Sequence, residues 1–199
     1  MNNIDLKKIQ DVASECTLCE LYKGRNKSVF AKGNQHSKFM ICGMVPGPEE
    51  NKIGTPFIGK AGKLLDIILE RIDLTLNDVY ITNVVKCALR PGIPLTQPWI
   101  DSCGVYLLAQ VSIIRPDVIV TLGADSTNAL LGFPLDTKIG QLRGKPQVYF
   151  DTHVIPTYHP SYLMRGGGEK HKYFDRVIED FELAQLILGD KDEQHRMDR

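Results

Sequence analysis

Two cysteines separated by two residues, Cys16 and Cys19, and two separated by fifteen, Cys87 and Cys103, have types and a spacing that can carry chemistry. Two thiolates on a tight bend turn to the same side and share one metal centre. Cys87 ends a predicted strand and Cys103 lies on the helix that follows, so the second pair can complete a four-thiolate site with the first. Zinc and an iron–sulfur cluster both accept such a donor set, and spacing alone does not choose between them. One pair by itself is equally compatible with ordinary thiols at a helix end. The fifth cysteine, Cys42, sits inside the apolar run from Phe39 and reads as a small core thiol.

A second chemical feature is the stretch from Cys42 to Leu65. An apolar run delivers the backbone into a loop punctuated by Gly43, Pro46, Gly47, Pro48, Gly54, Pro56, Gly59 and Gly62. Residues that fix or free φ are dense here, so the loop is shaped rather than floppy. In an α/β protein, ligands are usually held by such loops beyond the carboxyl ends of strands. Phe57 lies in this loop, Asn83 lies near the end of another apolar run, and His159 precedes Pro160. Taken singly, these are a core aromatic, a turn cap and a surface loop histidine.

The elements that position these groups can be read from periodicity and punctuation. Leu6, Ile9, Val12 and Ala13 mark a first helix behind the N-cap Asp5, ending near Cys16. Leu21 to Ser37 has no period and reads as an irregular connection. Strands are expected at 39–43, 79–85 and 118–122, where β-branched and aromatic residues cluster. A helix from about Ala61 buries Leu64, Leu65, Ile68 and Ile72. Another over 99–114 presents Ile100, Val105, Leu108, Val111 and Ile114, and a short one covers 125–131. Residues 139–144 read as a polar turn region, 148–150 and 153–157 as two strands, and 170–188 as a last helix. The charged tail 189–199 is expected to fray. Alternating strands and helices imply an α/β fold with a mainly parallel central sheet.

Lys plus Arg and Asp plus Glu number 24 each, so the formal net charge is zero. No global basic field draws nucleic acid, and any such contact needs a local patch. The chain of 199 residues is about one domain in size. A single domain over 1–199 is therefore expected, with its core at about 16–188. The amino terminus lacks an apolar signal core, and no apolar run approaches the roughly 18 residues of a membrane span. A soluble, cytoplasmic, monomeric protein without membrane contact is the expectation.

Five separated features together resemble the family 4 uracil-DNA glycosylases, the iron–sulfur branch of their superfamily. They are the two cysteine pairs, the loop from Gly43 to Leu65, the segment Tyr80 to Cys87, the strand Val118 to Gly123, and His159-Pro160-Ser161-Tyr162-Leu163-Met164-Arg165. The resemblance spans roughly Cys16 to Leu186. It implies a three-layer α/β/α sandwich around a four-stranded parallel sheet. It also implies a structural [4Fe–4S] cluster on Cys16, Cys19, Cys87 and Cys103, and a substrate of DNA carrying uracil. By the same resemblance, Phe57 stacks on the flipped base, Asn83 reads its edge, and His159 bonds O2 as the base leaves with negative charge. Gly43, Met44, Val45 and Glu50 line the substrate, with Glu50 filling the space beside uracil C5. Ser161, Leu163, Met164 and Arg165 meet DNA, with Leu163 and Met164 as wedges. Lys170 and Lys172, with Lys23, Arg25 and Lys27 as a second group, are further phosphate candidates.

The chain departs from the family pattern in the loop. Met44 stands where a Glu is usual, Val45 comes after it, and Asn51 replaces an Asp. Loss of a carboxylate predicts a slower or altered glycosylase. The alternative is a catalytically weak or inactive iron–sulfur DNA-binding protein of the same fold, acting in replication or damage recognition. An iron–sulfur electron carrier or a zinc-stabilised structural protein is a further rival.

Overall fold

The computed structural model describes residues 5–197, with side chains to residue 191. Helix α1 (Leu6–Ser14) starts where Asp5 Oδ1 accepts the Lys8 N–H at 2.9 Å, as the N-cap pattern requires. A 3-10 turn at Glu20–Gly24 comes next. The chain continues through β1 (Ala31–Gly33), β2 (Phe39–Gly43), α2 (Pro48–Ile53), α3 (Lys60–Arg71), β3 (Val79–Asn83) and α4 (Gln97–Ile114). Its second half comprises β4 (Val118–Leu122), α5 (Ala124–Leu131), α6 (Ile139–Leu142), β5 (Gln147–Tyr149), β6 (Thr152–Thr157), α7 (Pro160–Met164) and α8 (Phe174–Met197).

The sheet corrects the expected four-stranded one. It has six strands in the order β1-β3-β2-β4-β6-β5 and is mixed. The inner four are parallel, whereas β1 and β5 pair antiparallel at the two edges. These edge strands have only three residues each, too few to show an alternating pattern, so β1 falls inside a stretch that reads as irregular.

Every residue of β2, β3 and β4 is buried, because helices cover both faces of the sheet. Phe39, Ile41, Val79, Ile81, Val118 and Val120 pack with α3 and α8, whereas Met40, Cys42, Tyr80 and Ile119 pack with α4. Cys42 is thus a core thiol, and burial pushes its pKa up to about 12.

Other differences have local causes. Pro48 sits in the first turn of α2 with Glu49 and Glu50 beside it, which starts a short helix inside the punctuated loop. On α4, Val105 and Leu108 face out while Tyr106 and Leu107 are buried, because a nearly all-round apolar helix does not announce its inner face. The region 139–144 contains the single helical turn α6. The expected frayed tail is helical through Met197, helped by good helix formers and by Lys191 Nζ, which donates to the Asp151 carbonyl at 2.8 Å. Asp198 and Arg199 lie outside the described residues.

Strand register aligns three chain segments. Gly43 pairs with Asn83 across β2 and β3, and Leu122 pairs with Thr157 across β4 and β6. The loop after β2, Asn83 and the turn into His159 therefore meet at one edge of the sheet.

Candidate active site

At that edge lies a cavity of about 190 Å3, lined among others by Val45, Gly47, Glu50, Phe57, Asn83, His159 and Ser161. Phe57, Asn83 and His159 come from three separate loops or strand ends.

The loop is held by its own polar groups. Glu50, nearly buried, accepts the N–H groups of Ile58 and Gly59 on Oε1, at 2.9 and 2.8 Å. The carboxylate thus fastens the loop at the entry to α3, where the helix dipole favours a negative charge. It is not a solvent-facing loop acid. Asn51 accepts the Asn26 N–H on Oδ1 at 2.9 Å and ties the loop to the amino-terminal segment. Phe57 adopts a left-handed φ of 52°, unusual for an aromatic residue. Its carbonyl accepts from Lys32 Nζ at 2.8 Å, and any side chain at Gly62 would collide with that same carbonyl. The Phe57 ring then stands 6.1 Å from the His159 ring, tilted by 32°.

Asn83 is 1% exposed, and among the described residues its Oδ1 has no hydrogen-bond partner. A side chain at Gly43 would collide with this oxygen and with the Phe57 ring, so glycine is what lets the two meet. Behind Asn83, the fully buried ammonium of Lys86 donates to the Asn83 carbonyl, to Thr82 Oγ1 at 2.8 Å and to Gln110 Oε1 at 2.6 Å. Burial lowers the Lys86 pKa to about 8.

His159 caps α7 with its side chain. Its Nδ1 accepts the Ser161 N–H at 3.0 Å and lies 2.8 Å from Ser161 Oγ. Burial, with the nearby Arg165 cation, holds its pKa down at about 4. The ring is therefore neutral at pH 7. Because Nδ1 accepts, the proton sits on Nε2, leaving that atom as a donor.

Met44 is buried and does not line the 190 Å3 cavity. It lines a larger neighbouring space of about 580 Å3, and Val45 borders both.

The four cysteines also come together. Cys16 and Cys19 flank the bend after α1, Cys87 lies just beyond β3, and Cys103 lies on α4. All four line one small, tightly enclosed space, together with Arg25, Lys86 and Tyr106. Three donors point at sulfur: Leu18 N to Cys16 at 3.5 Å, Arg25 Nη1 to Cys87 at 3.4 Å, and Lys86 N to Cys103 at 3.2 Å. Among the described residues, no three His, Cys, Asp or Glu side chains converge closely enough to hold a single metal ion. Burial pushes the Cys103 thiol up to about 11 and raises Cys87 despite Arg25.

A family model described as the uracil DNA glycosylase superfamily matches residues 30–182. The chain belongs to this superfamily. It is 40% identical over 190 residues to the type-4 uracil-DNA glycosylase of Thermotoga maritima, covering 92% of this chain and 96% of that one. The type-4 enzyme of Saccharolobus solfataricus is 38% identical, covering 81% and 77%, and that of Archaeoglobus fulgidus is 36% identical, covering 94% and 96%.

Within this glycosylase fold, the expectations for Leu163 and Arg25 need correction. Leu163 is fully buried beneath α3 and α8, so it is a core residue and no wedge; Met164 on the same short helix is half-buried. Arg25 is committed to Cys87 and to the Ser14 carbonyl rather than to phosphate. Lys23 pairs with Glu20 at 2.9 Å, and Lys27 donates to the Ile53 carbonyl at 3.3 Å. Arg165, Lys170 and Lys172 are exposed. Sequence reasoning missed Lys32 and Lys86, which hold the site from behind. For Lys86 a signal existed: a lysine directly after the apolar pair Val84-Val85 is out of place unless its charge is paired. Among the described residues, no helix is long and apolar enough to cross a membrane.

Proposed function

We propose that this chain is a DNA repair glycosylase, a monomer of one domain, which hydrolyses the N-glycosidic bond of deoxyuridine in DNA and leaves an abasic site. The observation that carries the reading is Asn83. An unpaired, buried carboxamide oxygen costs roughly 1–3 kcal/mol. Here it stands beside an aromatic ring and opposite an imidazole donor, and a ligand edge would satisfy it.

Uracil turned out of the stack lies flat on Phe57. The Asn83 carboxamide offers a donor to O4 and an acceptor to N3–H, a pattern that cytosine reverses. Glu50, with Oε1 occupied by two backbone N–H groups, cannot swing aside and fills the volume a thymine methyl would need. His159 donates from Nε2 to O2 as negative charge builds on the leaving base, and a neutral imidazole suffices for this. With Met44 in place of an acid, stabilisation falls chiefly on the departing base. An oxocarbenium-like transition state tolerates that at reduced speed. Ser161, Met164 and Arg165 then face the DNA strand.

Cys16, Cys19, Cys87 and Cys103 fit a [4Fe–4S] cluster. Four sulfurs spread around one space, with N–H donors aimed at three of them, suit a cluster's thiolate shell better than the close tetrahedron of a single zinc ion. When bound, the cluster would cross-link the amino-terminal segment to β3 and α4.

Incubation of the purified protein with uracil-containing single- and double-stranded oligonucleotides, and then with alkali, is expected to give strand breaks at uracil. Absence of breaks above a His159→Ala control overturns the enzymatic reading. Met44 and Val45 favour a second reading, a protein that binds uracil DNA without turnover. Tight binding with no product would establish it.

A further inference from the structure

The larger neighbouring cavity, about 580 Å3, shares Val45, His159 and Ser161 with the base pocket. Its volume lies in the range that holds a nucleotide-sized ligand. Two tyrosines, Tyr158 and Tyr162, form part of its wall, and neither serves the base pocket.

These tyrosines belong to a preorganised group. Tyr158 and Tyr162 are stacked at 5.5 Å with 23° between their planes, and Tyr158 stacks on Tyr173 at 4.8 Å and 8°. Tyr162 and Tyr173 are 6.3 Å apart at 18°, so all three rings lie nearly parallel. Cations crowd the same group. The Arg165 guanidinium is 5.6 Å from the Tyr162 centroid, and Arg176 and Lys172 are 5.5 and 5.0 Å from that of Tyr173. In a chain with zero formal net charge, this is a local concentration of positive charge on aromatic faces. Tyr162 is 37% exposed, so part of its ring is accessible from the cavity.

Parallel rings beside guanidinium groups form the kind of surface on which unpaired bases stack. The acid Asp125 lines the cavity as well. A carboxylate there disfavours phosphate and accepts from a base N–H, which places base inside and backbone outside, along Arg165 and Lys172. We propose that this cavity binds a second nucleobase of the same strand, adjacent to the flipped uracil and itself unstacked, with Tyr162 as its main contact. This rests on the uracil reading of the smaller pocket. It makes single-stranded or locally opened DNA the preferred substrate, because a base within a duplex keeps both its faces covered.

Binding to two single-stranded oligonucleotides, each carrying one 2′-fluoro-deoxyuridine that resists cleavage, tests it by fluorescence anisotropy. In one, the uridine has ordinary neighbours; in the other, baseless tetrahydrofuran units replace the nucleotides on both sides. For the unaltered protein, removal of the neighbouring bases is expected to weaken binding about 10-fold. Tyr162→Ala and Tyr162→Leu are expected to weaken binding of the first oligonucleotide by about 10-fold and to bind both equally, while circular dichroism shows an unchanged fold. An equal penalty for the baseless neighbours in the unaltered protein and the variants overturns the proposal. So does full binding by Tyr162→Leu, which fills the space without a π face. A parallel pair with thymine at the centre separates the two readings. If uracil is not preferred but the neighbour penalty and its loss in Tyr162→Ala persist, the base-pocket reading fails and the second site stands.

Discussion

The base pocket and the cysteine cavity are built from the same strand end, four residues apart, yet they are held in different ways. In the pocket, protein groups already hold the functional side chains: Glu50 fastens the loop, Lys32 holds the Phe57 carbonyl, and Ser161 fixes the His159 ring. Asn83 Oδ1 alone among these groups awaits a partner. In the cysteine cavity the reverse holds. Cys87, just beyond β3, and Cys103, on α4, are buried, but Cys16 and Cys19 are half-exposed and flank the bend after the short α1. Under the proposed function, one region is preorganised for a transient ligand, and the other would be completed by a permanent one. Lys86 lies at the seam, with its ammonium on the Asn83 carbonyl and its own N–H on Cys103.

The sharpest way to break this comparison is Asn83→Ala. Excision of uracil should fall by about 100- to 1,000-fold, measured as single-turnover rates, with unfolding by denaturant little changed because the lost group had no partner to strand. Equal loss of folding stability would mean that Asn83 is structural. Cys103→Ala should give the opposite signature: loss of the visible colour of the cluster and early proteolysis within residues 6–24, seen by mass spectrometry. Retained colour would remove Cys103 from the donor set.

Lys86→Met strands three buried acceptors and should cost about 3 kcal/mol in chemical denaturation. As a positioning residue it should also raise KM for uracil DNA while leaving the cluster spectrum in place. A bleached variant would instead tie Lys86 to the cysteine side alone. The smallest effect expected is with pH. The folded pKa of His159 is about 4, against an ordinary value of 6.5. Between these values the unfolded chain binds more protons, so stability contributed by this residue is present above about pH 6.5 and is lost as pH falls towards 4. Tm should decline over that window more steeply for the unaltered protein than for His159→Gln. The His159-dependent part of excision should stay flat from about pH 5 to 8.

Much of the architecture is legible in the sequence because it is local. The cap at Asp5 is a three-residue pattern, the strand 39–43 is a contiguous apolar run, and the dense glycines and prolines mark the loop as shaped. Other features escape such a reading because their cause is long-range. Strand β1 exists only through its pairing with β3, and α2 hides among residues that read as turn formers. Leu163 resembles a DNA wedge in its motif but packs into the core, since which side of a one-turn helix faces inward depends on what α3 and α8 present to it. Tyr158, Tyr162 and Tyr173 give no sign in the sequence that their rings stack, since Tyr173 lies eleven residues beyond Tyr162 and meets the other two only in space.

Sequence alone determined the chemistry available: four cysteine thiols, an aromatic, a carboxamide and an imidazole. It also determined the alternation that makes an α/β sheet. Tertiary structure decided what those groups face. The register Gly43 against Asn83 puts a carboxamide and a phenyl ring in contact, and burial sets the charge of His159 and Lys86. Residue type fixes which hydrogen bonds and charges a side chain can offer, whereas packing fixes which of them remain unmet, and a ligand binds at the unmet ones.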